Sequence, residues 1–347
     1  MSTTDGRLNA LRARSFHVPG RYAGADGARR MRGAMYVELW EGTVTRPWPV
    51  VMVHGGGQTG TCFTIKPDGG EGWAQAFARA GFATYVIDEP ARGRSPYSPD
   101  LDGPLQAVFP AEIAEKIFTA TAHYRLWPRA ERHDQWPGSG RIGDPLFDRF
   151  YASQAPQRRD HADMETVAAE AIVALLKAIG PAILLTHSQG APRGWRAADA
   201  APDLVKGVLA IEPMGRPFYW TSELAAVFGL PPETVCHPYG LSIGPLTYDP
   251  PADDPAVLLD WRGAANQGRR LSRLARTRVA VVSADASYHR ASDLEIADFL
   301  TARGVSPDLI LLEERGLRGN GHMMMLETNS DEIARVLVDQ IEAWSLG

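Results

Sequence analysis

The sequence predicts an α/β protein built on a largely parallel sheet, and three observations carry that expectation. Val50-Val51-Met52-Val53 runs into a glycine loop, a helix-spaced segment and a second strand ending at Asp88. That order of elements is a parallel crossover unit. Further on, the apolar run Ala182-Ile183-Leu184-Leu185 leads directly into Thr186-His187-Ser188-Gln189-Gly190 and an Ala/Arg-rich segment of helical character, so a serine stands at the apex of a strand-to-helix turn. Short apolar strands then keep returning as far as Leu312, with no internal repeat and no linker long enough to divide the chain. A single domain spanning residues 1–347 is the economical expectation.

In chain order, residues 1–32 are polar and rich in Arg and Gly, with one short strand expected near Ser15 to Val18 to cover a sheet edge. Ala34 to Trp40 reads as a strand, and the Pro47-Trp48-Pro49 turn passes to the buried strand Val50–Val53. Trp73, Phe77 and Ala80 have helical spacing up to Gly81, and Phe82 to Asp88 follows as a strand. Residues 96–160 break the pattern with prolines and aromatics, apart from an expected helix from about Ala111 to Thr121. Met164 to Ile179 carries an apolar helical face that Gly180-Pro181 stops. After the serine turn, Leu204 to Ile211 is a strand ending at Glu212. Residues 213–277 form a second excursion, with Pro231-Pro232 and Pro250-Pro251 and an expected helix around Ala264 to Arg276, whose Arg269, Arg270, Arg273 and Arg276 would be a solvated face. Strand Arg278 to Ser283, helix Asp293 to Arg303, strand Leu309 to Leu312 and a C-terminal helix capped near Asn329, with Glu332 three residues on, complete the chain. Both excursions are expected to overhang the sheet as a lid, and Trp127, Trp136, Phe218, Trp220 and Trp261 are the aromatics they could offer to a pocket, each of them equally at home in lid core.

Composition sets limits on function. Of 347 residues, 44% are hydrophobic and 22% charged, ordinary globular values, and a net charge of −5 gives no electrostatic case for nucleic acid. The two cysteines, Cys62 and Cys236, make neither a disulfide framework nor a zinc spacing, so they are read most simply as two free thiols, a single bridge between them being the alternative, and no metal is expected. The first 18 residues have no apolar core, and no stretch reaches 18 uninterrupted apolar residues. The resulting expectation is a soluble cytoplasmic protein with no membrane partner. Oligomeric state stays open, a homodimer being one option.

A serine hydroxyl becomes a nucleophile when a base takes its proton, an acid holds that base, and free N–H groups receive the developing oxyanion. Ser188 is the candidate nucleophile. His322, in Gly319-Asn320-Gly321-His322-Met323-Met324-Met325 between the last strand and the last helix, is the candidate base. His187 is expected to point away from the site, because neighbours in a strand face opposite sides. Two carboxylates at strand ends compete for the third role: Glu212, which follows the nucleophile strand by one, and Asp285, one strand further along. For the oxyanion, His54-Gly55-Gly56-Gly57 lets backbone approach a substrate closely. The expected donors are the amide of Gly56, or its neighbour Gly57, and the amide of Gln189 at the start of a helix. No Lys-Ser/Thr follows the glycine run, so a phosphate loop is disfavoured.

Taken together, His54-Gly55-Gly56-Gly57, Asp88 with Arg92-Gly93-Arg94-Ser95, the turn at Ser188 and the late His322 resemble the α/β-hydrolase family over nearly the whole chain, with Thr186 where the family's Gly-x-Ser-x-Gly elbow has its first glycine. Met35-Tyr36-Val37, Ile211-Glu212-Pro213 and the Gly319 to Met325 run resemble, more narrowly, a branch of bacterial esterases. The resemblance implies an α/β-hydrolase fold with an eight-stranded, mostly parallel sheet flanked by helices. It also implies a Ser188-Glu212-His322 triad with the acid after strand six, which favours Glu212 over Asp285, and hydrolysis of a small carboxylic ester without a cofactor. A lactonase, thioesterase or carbon–carbon bond hydrolase would use the same residues. A catalytically silent binding protein is the alternative from another class.

Overall fold

A computed structural model describes residues 10–231, 233–236 and 246–344. Part of the second excursion, including Pro232, and the extreme N-terminus therefore lie outside the described residues. The central sheet has eight strands: β1 (Arg12–Val18), β2 (Met35–Glu41), β3 (Val50–Val53), β4 (Thr84–Asp88), β5 (Ala182–His187), β6 (Val205–Ile211), β7 (Arg278–Ser283) and β8 (Pro307–Leu311). Their spatial order is β1-β2-β4-β3-β5-β6-β7-β8. β2 is antiparallel to both β1 and β4, and every other pairing is parallel. The sheet is thus mostly parallel, as expected, and β1 covers the β2 edge over more residues than the sequence suggested.

Helices α1 (Trp73–Arg79), α2 (His161–Ile179), α3 (Gly190–Ala200), α4 (Arg290–Ala302) and α5 (Ser330–Ala343) flank the sheet. The strand pleat sorts the core into two layers, because successive side chains face opposite ways. On β5, Ile183 and Leu185 pack with Trp73 and Phe77 of α1 and Leu337 of α5. Ala182 and Leu184 pack on the other face with Leu175 of α2, Trp195 of α3 and Phe299 of α4. β3 and β5 are buried along their whole length, which is why both read as continuous apolar runs. Each fully buried aliphatic side chain of this kind contributes roughly 1.5–3 kcal/mol.

This order positions the site. β3 lies beside β5, so the glycine loop and the serine turn leave the sheet side by side, and β6 and β7 bring Glu212 and Asp285 out at the same carboxyl edge, where open α/β sheets place ligands.

The excursions differ from expectation in one element. The helix expected over Ala264 to Arg276 is instead two single 3₁₀ turns, Ala264–Asn266 and Leu274–Arg276. Gly268 has φ +77° between them, and Arg270 exchanges both backbone hydrogen bonds with Asp249 at 2.8 Å, a bridge that a helix would forbid. The arginines accordingly do not share a helical face: Arg269 donates to Pro250 O and Arg273 to Asp199 O, while Arg276 pairs with Asp203. In the first excursion, the expected helix begins as Ala111–Ala114 and widens into a π turn over Glu115–Thr119. The expected side-chain cap of α5 is absent, because the Asn329 amide is paired with Asn320 instead. Cys62 and Cys236 are both free and buried, the simpler of the two expectations.

Candidate active site

Ser188 follows the last residue of β5 with φ +50°, a conformation that costs an L-residue energy and persists only where its surroundings impose it. The amide of Ser188 donates to Ile211 O at 3.0 Å, and the Ser188 carbonyl accepts from Met214 N at 3.0 Å, so the turn is tied to β6 and to the loop after it. Two glycines make room. A Cβ on Gly194 would stand 2.6 Å from the Thr186 methyl, so Gly194 accommodates the threonine that stands where the elbow has a glycine. A Cβ on Gly190 would stand 2.7 Å from the carbonyl oxygens of both Val53 and His54, which are backbone and cannot swing aside. Gly190→Ala is therefore expected to push α3 off β3, destabilising the fold by about 1–3 kcal/mol as overpacking does, and to lower turnover in parallel. Thermal unfolding with a matched activity assay checks this, and an unchanged melting temperature would contradict the packing argument.

Glu212 follows the last residue of β6, also at positive φ (+42°), and its carboxylate is fully buried. One oxygen accepts from Ala284 N at 2.9 Å. The other accepts from Ser287 Oγ and from His322 Nδ1, each at 2.6 Å. Burial pushes the Glu212 carboxyl up to about 7. Asp285 goes elsewhere: it pairs with Arg129 at 2.9 Å and Arg132 at 3.0 Å, both from the first excursion. The structure pairs Glu212 with His322, places Ser188 and His322 on one cavity, and leaves Asp285 as a tie between β7 and the excursion.

The loop that carries His322 is anchored by Glu327, a buried residue that no motif or spacing singles out. Its carboxylate accepts from Gly321 N at 2.9 Å and from Asn320 Nδ2 at 2.7 Å, and it contacts His133 Nε2 at 2.8 Å. With Nδ1 engaged by Glu212, Nε2 is the nitrogen of His322 available to a proton donor in the cavity. The ring is held between Phe118 of the π turn (centroids 5.7 Å, 18° between planes) and His289 (4.4 Å, 4°). Burial, and next to it His289, hold His322 well below the usual imidazole range, so the ring is neutral and able to accept a proton near pH 7.

His187 does not point away. Its ring lies 4.6 Å from that of His322, its Nε2 is 3.0 Å from the His322 carbonyl oxygen, and it lines the same cavity. The strand alternation on which the opposite expectation rested ends at this residue, where the backbone turns into the positive-φ serine.

The cavity, about 60 Å³, is lined by Ser188, Gln189, Gly56 and His322. Phe109, Ile117 and Phe118 of the first excursion and Trp220, Thr221, Leu224 and Cys236 of the second line it as well. Of the five aromatics named from the sequence, Trp220 lines the cavity, whereas Trp127, Trp136, Phe218 and Trp261 are core. Trp127, for example, spends its Nε1–H on Ala286 O at 2.8 Å. Phe109, Phe118, Tyr288 and His289 were missed, since nothing in the local sequence distinguishes them from ordinary packing. Among the described residues, the amides of Gly56 and Gln189 donate to no backbone or side-chain acceptor, although both border the cavity. No cluster of metal-ligating side chains occurs among the described residues.

A model of the alpha/beta hydrolase family matches residues 50–336, from β3 to the middle of α5. The chain belongs to that family. The α/β-hydrolase is also 39% identical over 350 residues to a protein of Fungal sp. (strain ATCC 74256) named "Probable secreted lipase phiG", covering 94% of this chain and 93% of the relative. Among solved structures, the one described as "The Atomic Resolution Structure of a Novel Bacterial Esterase" superposes with a TM-score of 0.66 at 20% identity, covering 99% of each chain, and so shares the fold. The α/β-hydrolase therefore carries its buried Glu212–His322 pair and its serine turn at the edge of the sheet where such folds hold their sites.

Proposed function

We propose that this α/β-hydrolase is a serine esterase that cleaves the carboxylic ester of a small, uncharged, largely apolar substrate through an acyl-enzyme. The observation that carries the proposal is the 2.6 Å contact of His322 Nδ1 with a fully buried Glu212, in one cavity with a serine held at positive φ. In the first step, His322 Nε2 takes the Ser188 proton as Oγ attacks the ester carbonyl. The amides of Gly56 and Gln189 receive the oxyanion, Gln189 with the added dipole of α3. Collapse of the tetrahedral species expels the alcohol, which takes the proton back from His322. Water then repeats the sequence on the acyl-enzyme and releases the acid. Glu212 holds the imidazole in the Nδ1–H tautomer and stabilises its cationic form. Among the described residues, the side chains around the cavity include no Lys, Arg, Asp or Glu, which suits a neutral substrate.

In this reading residues 1–347 form a single domain, and the segments 96–160 and 213–277 are its lid, since both line the cavity. The relative's name, lipase, agrees with ester chemistry. Its description as secreted gives the cytoplasmic expectation no support, and the homodimer option finds none either. Among the described residues, no helix is long and apolar enough to cross a membrane.

The pH profile tests the chemistry. A buried carboxyl that takes up a proton at about pH 7 can no longer balance an imidazolium below that value. For p-nitrophenyl acetate and butyrate, kcat/KM is expected to be highest above pH 7 and to fall as pH drops through it. Absence of hydrolysis across pH 5–9, or a flat profile, would count against the proposal.

A further inference from the structure

Beneath the glycine loop and the serine turn lies a buried charge cluster that the mechanism above does not use. Glu89, Arg92 and Arg193 have side chains at most 1% exposed. Glu89 Oε1 is 3.1 Å from Arg193 Nε, and Glu89 Oε2 is 3.7 Å from Arg92 Nη2. Each guanidinium also donates to a backbone carbonyl beside the site: Arg92 Nη1 to Gly55 O at 3.0 Å, and Arg193 Nη1 to Gln189 O. Arg92 Nη2 is fixed further by Gln157 Oε1 at 2.6 Å.

The carbonyl that Arg92 holds belongs to a particular peptide unit. Gly55 C=O and Gly56 N–H are the two ends of one planar amide. His54 reaches the same oxygen: its Nε2 accepts the Glu89 amide at 3.1 Å, which leaves the proton on Nδ1, 3.0 Å from Gly55 O. One carbonyl thus receives a cationic donor and a neutral one, while the N–H at the other end of its plane borders the cavity. Hydrogen bonds in series polarise one another, and a charged donor does so most.

We propose that Arg92 is a positioning residue for oxyanion stabilisation: it sets the plane of the Gly55–Gly56 peptide and strengthens the Gly56 N–H as a donor, with Glu89 linking it to Arg193 and so fixing the spacing between the glycine loop and the serine turn. The inference rests on the serine-esterase reading given above. It accounts for two fully buried arginines, of which Arg92 is lowered by burial to about 10 and still charged at neutral pH.

The test compares Arg92→Lys and Arg92→Met with wild type by kcat and KM on p-nitrophenyl butyrate, and by inhibition with an alkyl trifluoromethyl ketone, whose serine adduct carries an oxyanion. Arg92→Lys keeps the cation beside Glu89 and carries the test if Arg92→Met does not fold. Loss of a whole oxyanion donor lowers turnover about 10²–10³-fold, so weakening one predicts a fall of roughly 10–100-fold in kcat. KM should stay within about threefold, and the affinity for the ketone should fall by the same factor as kcat/KM. A purely structural role would lower the melting temperature without that parallel. The inference is overturned if kcat and ketone affinity both stay near wild type, if KM alone rises, or if kcat falls while ketone binding does not. Ser188→Ala in the same assay separates the two levels. If it retains turnover, the esterase reading itself fails; if it is inactive while the Arg92 variants are unchanged, only the role of Arg92 is lost.

Discussion

Ser188→Ala should lose nearly all turnover of p-nitrophenyl esters, on the order of 10⁵–10⁶-fold in kcat, as removal of the nucleophile from such a unit does. The substitution removes one oxygen, and the turn is held by other atoms: by Ser188 N to Ile211 O, by Met214 N to Ser188 O and by the close approach of Gly190 to β3. The folded state should survive intact, and the cavity should lose only its attacking group. Steady-state kinetics with a thermal melt on the same preparation reads both quantities. A variant that keeps its fold and a wild-type-like kcat would remove Ser188 from the chemistry.

Glu212→Gln should lower kcat by about 10³–10⁴-fold, the scale seen when the acid of a triad becomes an amide. The reason lies in the three donors around the carboxylate. An amide oxygen can still accept from Ala284 N, but the NH₂ group then faces Ser287 Oγ and His322 Nδ1. The hydroxyl can turn to accept it. The imidazole accommodates it only by moving its proton to Nε2, which leaves no lone pair for the Ser188 proton. Asp285→Asn provides the contrast, because that carboxylate serves Arg129 and Arg132, so kcat is expected to change by less than about threefold. Kinetics of the two variants side by side settle the assignment, and the reverse ranking would give the acid role to Asp285.

Much of the site was legible in the sequence because its residues sit where strands end. A strand entering Thr186-His187-Ser188-Gln189-Gly190 announces a tight turn, and Glu212 stands just past the end of the next buried strand. The residues alone did not choose between Glu212 and Asp285. Resemblance favoured Glu212, and the contacts of Asp285 with the first excursion give the physical reason. The lining of the cavity was not legible, since which aromatics face it depends on how irregular segments fold back, and Phe118 and Phe109 carry no local mark that Trp136 or Phe147 lack. The helix expected over Ala264 to Arg276 failed for a related reason: a long-range backbone bridge between Asp249 and Arg270 overrode the local pattern. Arg92 stood in a recognisable Arg-Gly-Arg-Ser turn, yet its hold on Gly55 appears only when β3 and β4 are seen as neighbours.

The most direct measurement is mass spectrometry of the protein after reaction with a serine-directed fluorophosphonate, with peptide mapping of the modified residue. Attack by Ser188, assisted by His322 and the two amides, predicts a single adduct on Ser188 and loss of ester hydrolysis in proportion to labelling. Full ester turnover with Ser188 unlabelled, or with the label on another residue, would contradict the account.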